Sequence, residues 1–201
     1  MSEFIVGARG HDFGRHSVEA LLCSIGDAGF RCTQLAYTKA VEGVKSYADV
    51  TPALVDATNA AVQKSSVSIA VDGTYVELGC ADEDKRRAEV AKALSQVPVA
   101  KALRAGCMGS ETTNMAKQPG VTRKEAQEAL LRSLGEILPA CEEQGVLFAV
   151  ECVYYHAMNT PEAVKMVLDT IASPNLRVIC DLANYVGPEN ASVDAQRLSL
   201  I

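Results

Sequence analysis

Val146-Leu147-Phe148-Ala149-Val150 is an unbroken apolar run that ends in Glu151. Apolar residues on both faces of so short a run suit a strand of a parallel sheet, covered by helices on either side. The flanks agree. Upstream, Thr122-Arg123-Lys124-Glu125 is a capping box, and Ala126, Leu130, Leu134, Ile137, Leu138 and Cys141 follow at helical spacing until Gly145. Downstream, Thr160-Pro161-Glu162 opens a second helix through Ile171, and Leu176 to Cys180 reads as the next strand, ending in Asp181.

The same alternation extends to the N-terminus. Phe4 to Gly7 is the first strand, and Ser17 caps a helix with Val18, Leu21, Leu22 and Ile25 on one face. Cys32 to Tyr37 is the second strand, and Thr51-Pro52 starts the second helix. Val67 to Val71 is the third strand, the charged segment Asp82 to Leu94 a helix, and Val97 to Leu103 the fourth strand. Gly106 to Val121 is then the longest irregular stretch, and a last helix begins near Ser192. Six βα repeats without hairpin signals predict an α/β fold with a parallel sheet and right-handed crossovers, doubly wound or a barrel. No G-x-G-x-x-G follows the first strand, so the dinucleotide-binding version lacks its phosphate loop. One domain over residues 1–201 is expected.

Composition narrows the partners. A formal net charge of −6 disfavours a phosphate-binding surface, and Lys85 to Arg87 follows two acids as a solvated helix face. No nucleic-acid or membrane partner is expected, because no segment has the apolar length of a membrane span. The N-terminus lacks a secretory pattern. Seven cysteines, an odd number without a C-x-x-C pair, read as buried free thiols, which places the protein in a reducing cytoplasm.

Polar residues gather where strands end. Arg9-Gly10-His11-Asp12 follows the first strand, and Gly109 to Asn114, with Glu111, follows the fourth. Glu151 with His156 follows the fifth, and Asp181 with Asn184 follows the sixth. In a parallel barrel these ends share the catalytic face. Glu151 and Asp181 are separated by one βα unit, which predicts adjacent strands about 4.8 Å apart. Two carboxylates so placed repel unless one is protonated or a cation lies between them. A divalent metal meets this need: oxygen donors suit magnesium or manganese, and an added histidine would suit zinc. The plainer reading is that each carboxylate caps a helix or pairs with a basic side chain. His156 reads as a substrate donor, a metal ligand or a loop histidine bonded to backbone. His11 with Asp12 orients a substrate hydroxyl or closes a turn, Glu111 is a third acid or a solvated loop residue, and His16 is structural.

Ala149-Val-Glu-Cys-Val-Tyr-Tyr-His-Ala-Met-Asn-Thr-Pro-Glu162 and Ser173-Pro-Asn-Leu-Arg-Val-Ile-Cys-Asp-Leu-Ala-Asn184 resemble sugar phosphate isomerases/epimerases of the xylose-isomerase-like TIM-barrel superfamily. The pattern there is E-x-V-x-x-H followed by S-P-N-L-x-V-I-x-D-x-x-N. Arg9-Gly-His-Asp-Phe13, Gly73 to Cys80, and Gly109-Ser-Glu-Thr112 with Asn114 also fit. The resemblance implies a (β/α)8 fold and divalent-metal-dependent isomerisation or epimerisation of a sugar or sugar phosphate. It implies that Glu151 and Asp181 are metal ligands, that Glu151 is also a catalytic acid/base, and that a proton moves through an enediolate. His156, His11, Glu111 and Asn184 are then substrate-binding candidates.

The sequence also departs from this pattern. The family completes its site with a histidine ending strand seven and a glutamate ending strand eight, whereas no histidine here lies beyond Asp181 and the only later glutamate is Glu189. Eight βα units take about 250 residues. The expectation is therefore a barrel incomplete at its C-terminus, truncated after strand six, with an incompletely liganded metal. Open edges at strands one and six would favour homo-oligomers. Two rival functions follow: a non-catalytic remnant that binds a polyol or self-associates, and an AP-endonuclease-like DNA repair protein, against which the acidic charge counts.

Overall fold

A computed structural model describes residues 4–188. Six strands, β1 (Gly7–Arg9), β2 (Cys32–Leu35), β3 (Ser68–Gly73), β4 (Cys107–Glu111), β5 (Phe148–Glu151) and β6 (Leu176–Ile179), follow one another in the sheet in chain order. The helices between them are α1 (Val18–Asp27), the one-turn α2 (Tyr37–Ala40), α3 (Pro52–Ser65), α4 (Glu83–Ala102), α5 (Arg123–Gln144) and α6 (Pro161–Thr170). The chain divides into two compact units, Met1–Thr74 with Ser95–Met108, and Tyr75–Leu94 with Gly109–Ile201.

In the first unit β1 pairs parallel to β2 and β2 to β3, with a register shift between Thr33 and Gln34. Ser17 Oγ accepts from the Ala20 N–H to start α1, whose Val18, Leu21, Leu22 and Ile25 are buried. They pack with Leu35, Val67, Ile69 and Leu103 in one apolar core. Thr51 caps α3 in the same way, with Pro52 in the first turn where its missing N–H costs no bond.

In the second unit β5 pairs parallel to β6, Glu151 opposite Ile179. All four residues of β5 are buried. The α5 capping box is present in both directions, Thr122 to the Glu125 N–H and Glu125 back to the Thr122 N–H. Gly145 ends α5 at φ 69°, a left-handed conformation that glycine adopts without steric cost. The apolar stripe of α5 is buried from Ala126 to Cys141. Arg86 of α4 is also buried, its guanidinium held by Glu83, Glu136 and Ser133.

Three sequence expectations are corrected. Val97 to Leu103 is the end of α4, not a strand, apart from Leu103 just beyond it. Val90, Ala93, Val97, Ala100 and Leu103 are buried at spacings of three and four, one helical face that continues past Pro98. The fourth strand lies instead at Cys107–Glu111, inside the stretch expected to be irregular. It was obscured by its small residues, Met108 being its only large apolar side chain. The first strand begins at Gly7, because Phe4, Ile5 and Val6 are exposed rather than covered. The helix expected near Ser192 lies outside the described residues.

Candidate functional site

Glu151 is the last residue of β5 and is 8% exposed. Asp181 lies two residues beyond its partner Ile179, on the neighbouring strand end. Asn184 connects the two. Its side-chain amide donates to Glu151 Oε1 at 2.6 Å, and its backbone N–H reaches Asp181 Oδ1 at 3.4 Å. The same Asp181 oxygen accepts from the Ala183 N–H at 3.0 Å. Asp181 therefore tethers the start of the 3-10 turn Ala183–Tyr185 through these backbone N–H groups, and that turn aims Asn184 at Glu151. One Asp181 oxygen is thus engaged by the turn backbone, and Asp181 and Glu151 are linked through Asn184.

Backbone bonds fix the surrounding loops of this unit. The Tyr154 N–H donates to the Asn184 carbonyl at 2.8 Å, and the Gly187 backbone lies against the Tyr154 ring, where an added Cβ would sit 2.7 Å from the ring edge. The Ala157 N–H donates to the Thr113 carbonyl, the Met115 N–H to the Tyr155 carbonyl, and the Met158 N–H to Thr112 Oγ1. The loop after β5 is thus laced to the loop after β4 on one side and the loop after β6 on the other.

His156 sits in that lacing. It is buried, its carbonyl accepts from Arg123, and its ring meets Tyr155 edge to face at 4.7 Å. Nε2 lies 3.7 Å from Glu111 Oε2, and Nδ1 is buried without a hydrogen-bond partner. Burial pushes the imidazole down to about 4, so at neutral pH it is uncharged. Glu111, at the end of β4, is half-buried and is brought to His156. His156 and Glu111 thus form one pair, and Glu151, Asp181 and Asn184 form a second group.

His11 belongs to the first unit, on the 3-10 turn Gly10–Phe13. Burial, then Lys39 and Arg9, lower its pKa from the usual value. Asp12 turns to Arg9, which it meets through two bonds of 3.0 Å. His16 Nε2 lies 2.9 Å from the Phe13 carbonyl, a local structural contact.

Two groups escaped the sequence reading. Asp72, near the end of β3, is 2% exposed, and its Oδ2 has no hydrogen-bond partner. Burial pushes its carboxyl up to about 7. The available signal was the one used for Glu151: an apolar run, here Val67 to Val71, ending in an acid. The other group is Cys152, Cys180 and Tyr185. Burial raises Cys152 to about 11, and Tyr185 hydrogen-bonds to it. All seven cysteines are free thiols, but only Cys141 and Cys152 are buried as expected; Cys23, Cys32, Cys80 and Cys107 are half-buried and Cys180 is exposed.

The donor chemistry suits a hard divalent ion in kind: two carboxylates on adjacent strands, one of them nearly excluded from water. It falls short in number. Among the described residues no group of three His, Cys, Asp or Glu side chains is placed to hold a metal. No helix among them is long and apolar enough to cross a membrane.

The chain belongs to the xylose isomerase-like TIM barrel family, whose sequence signature matches residues 24–199. Comparison with curated proteins finds no match. Similar solved structures include a 3-keto-D-glucoside 4-epimerase from E. coli (TM-score 0.77, 10% identity, 98% of this chain and 76% of that one). Another is a D-psicose 3-epimerase with D-tagatose from Clostridium cellulolyticum H10 (TM-score 0.74, 14% identity, 96% and 70%). A third is a xylose isomerase-like TIM barrel protein from Mycobacterium smegmatis in complex with magnesium (TM-score 0.71, 12% identity, 91% and 66%). At such identities the likeness is one of fold. The chain spans 63% of the D-psicose 3-epimerase solved in the presence of D-fructose.

Proposed function

We propose that this chain carries part of a divalent-metal-dependent sugar isomerase or epimerase centre, in which Glu151 and Asp181 hold the cation and the substrate is a sugar or sugar phosphate. The observation that carries the reading is the Glu151–Asn184–Asp181 link at the ends of two adjacent parallel strands. The bound metal, magnesium, manganese or zinc, would polarise a sugar carbonyl and the hydroxyl beside it. Glu151, at the strand end beside the cation, would move the proton from the carbon between them as the general base. Asn184 holds that carboxylate in orientation. His156, as a neutral imidazole, accepts or donates a hydrogen bond without adding charge, and Glu111 and His11 remain substrate-binding candidates. Solved relatives of this fold act on sugars and one is complexed with magnesium, which supports the substrate class and the cation.

The test pairs titration calorimetry of manganese with an exchange assay. Ketohexoses incubated with the protein in deuterium oxide are followed by proton NMR. Wild-type protein binds manganese and washes deuterium into the sugar, while Glu151→Gln and Asp181→Asn each weaken manganese by at least tenfold. Manganese affinity untouched by both substitutions, with no deuterium incorporated, would defeat the proposal.

A second reading is favoured by the donor count: among the described residues no third ligand joins the pair. It is a non-catalytic barrel that binds a polyol or self-associates. Sugar binding without metal dependence or exchange, or a dimer in light scattering, supports it.

A further inference from the structure

The β5–β6 register sets Glu151 opposite Ile179. The first residue past each strand is a cysteine, Cys152 and Cys180. The strands stay side by side past this point, since Asn184 reaches Glu151 and the Tyr154 N–H reaches the Asn184 carbonyl. Adjacent strands run about 4.8 Å apart, inside the Cα separation a disulfide needs. The two thiols feel one another electrostatically, and the Tyr185 hydroxyl, hydrogen-bonded to Cys152, feels both. They differ in access, Cys152 being buried and Cys180 exposed.

We propose that Cys180 is a peroxide-modified thiol and Cys152 its resolving partner, the pair closing a disulfide across the β5 and β6 ends that carry Glu151 and Asp181. The chemistry balances with hydrogen peroxide as oxidant. The Cys180 thiol attacks one peroxide oxygen, the O–O bond breaks, and sulfenic acid and water form. The Cys152 sulfur then attacks the Cys180 sulfur. The S–O bond breaks, the hydroxyl leaves as water with the thiol proton, and the S–S bond is made. Two thiols lose two electrons in all, and the peroxide takes them up. Exposure sets the order, because only Cys180 meets the oxidant directly. A bond formed beside the exposed Cys180 stays open to thiol–disulfide exchange, so a thiol reduces it again. Closure would join the ends of β5 and β6 covalently, next to Glu151 on one and Asp181 on the other. The inference stands apart from the enzymatic reading, as it requires only the two cysteines.

The full-length protein is treated with hydrogen peroxide, blocked with N-ethylmaleimide, digested without reduction and mapped by mass spectrometry. Trypsin leaves Cys180 in the peptide that starts at Val178, and a second cut after Glu151 separates Cys152 from Cys141. The expected result is one cross-link between Cys152 and Cys180, two of the seven thiols lost to alkylation, and both restored by dithiothreitol. Cys180→Ser, at an exposed position, should keep its fold and form no cross-link. Cys152→Ser should stop at a Cys180 sulfenic acid trapped by dimedone. A different cysteine pairing, or alkylated Cys152 beside over-oxidised Cys180, overturns the proposal.

Discussion

Asn184 donates its side-chain amide to Glu151 at 2.6 Å, closing a path from one strand-end carboxylate through a turn to the next, since Asp181 accepts from the backbone N–H groups of that same turn. A hydrogen bond to a charged acceptor contributes about 1.5–3 kcal/mol. Asn184→Ala is therefore expected to lower unfolding free energy by about 1.5 kcal/mol, near the low end of that range, because Glu151 has another interaction to fall back on. It should also weaken manganese by about 10–100-fold without removing a ligand, as loss of a ligand's supporting partner does. Urea denaturation and calorimetry check both. Unchanged manganese affinity would mean that the bond supports the turn alone.

Glu111 and His156 meet at 3.7 Å, but an imidazole pushed down to about 4 makes this a contact with a neutral ring at pH 7. The sign follows from burial. The unfolded chain takes up a proton near 6.5 and the folded chain only near 4. Stability from this site is thus complete above about pH 6.5 and declines as pH falls toward 4. Ring-proton NMR should show His156 titrating near pH 4. In His156→Gln the fall in stability between pH 6.5 and 4 should be shallower. A His156 midpoint at or above 6 would contradict the assignment of a buried neutral ring.

Legibility in the sequence depended on whether local pattern and burial agreed. β5 and α5 are readable because their apolar residues are covered, and β6, only partly covered, because its apolar run follows a helix opened by Thr160 and Pro161. Val97 to Leu103 misled because Pro98 hides a helical face that continues from Val90. Phe4 to Val6 misled in the opposite sense, apolar yet exposed. That Glu151 and Asp181 lie on adjacent strand ends could be inferred from chain order alone. Their tie through Asn184 could not, because it depends on the conformation of one 3-10 turn. Asp72 carried the same signal as Glu151 and went unread because no second polar group near it suggested a pair.

Arg86 gives a test of what holds the second unit together. Its guanidinium is buried, while its partners Glu83 and Glu136 are half-exposed, at 42% and 47%. Arg86→Ala removes bonds to two acids and Ser133, and opens a cavity between α4 and α5. The acids left behind can return to water, so the loss should fall below the usual figure for an orphaned buried charge, at about 2–3 kcal/mol. Arg86→Lys should recover less than half of it, since an ammonium cannot span the forked partners. Urea midpoints decide this, and a loss under about 0.5 kcal/mol would show the cluster to be no more than a surface ion pair.

Asp72 sets the opposite pH dependence in the first unit. Its carboxyl is held at about 7 by burial, against an ordinary value of 3.8. The folded chain therefore keeps a proton that the unfolded chain has already released, and the proton-binding difference makes stability fall as pH rises from about 4 to 7. Above pH 7 the cost is constant, because both states are then ionised. Asp72→Asn keeps the shape and removes the ionisation. It should be close to wild type at pH 4, become more stable by a margin that grows up to pH 7, and hold that margin at pH 8.5. Because each pH unit of separation corresponds to about 1.4 kcal/mol, the plateau should reach a few kcal/mol. Denaturant midpoints at pH 4, 5.5, 7 and 8.5 measure it. A margin that is the same at every pH would mean that the introduced amide gains from packing, and that Asp72 is ionised in the fold with a partner for its charge.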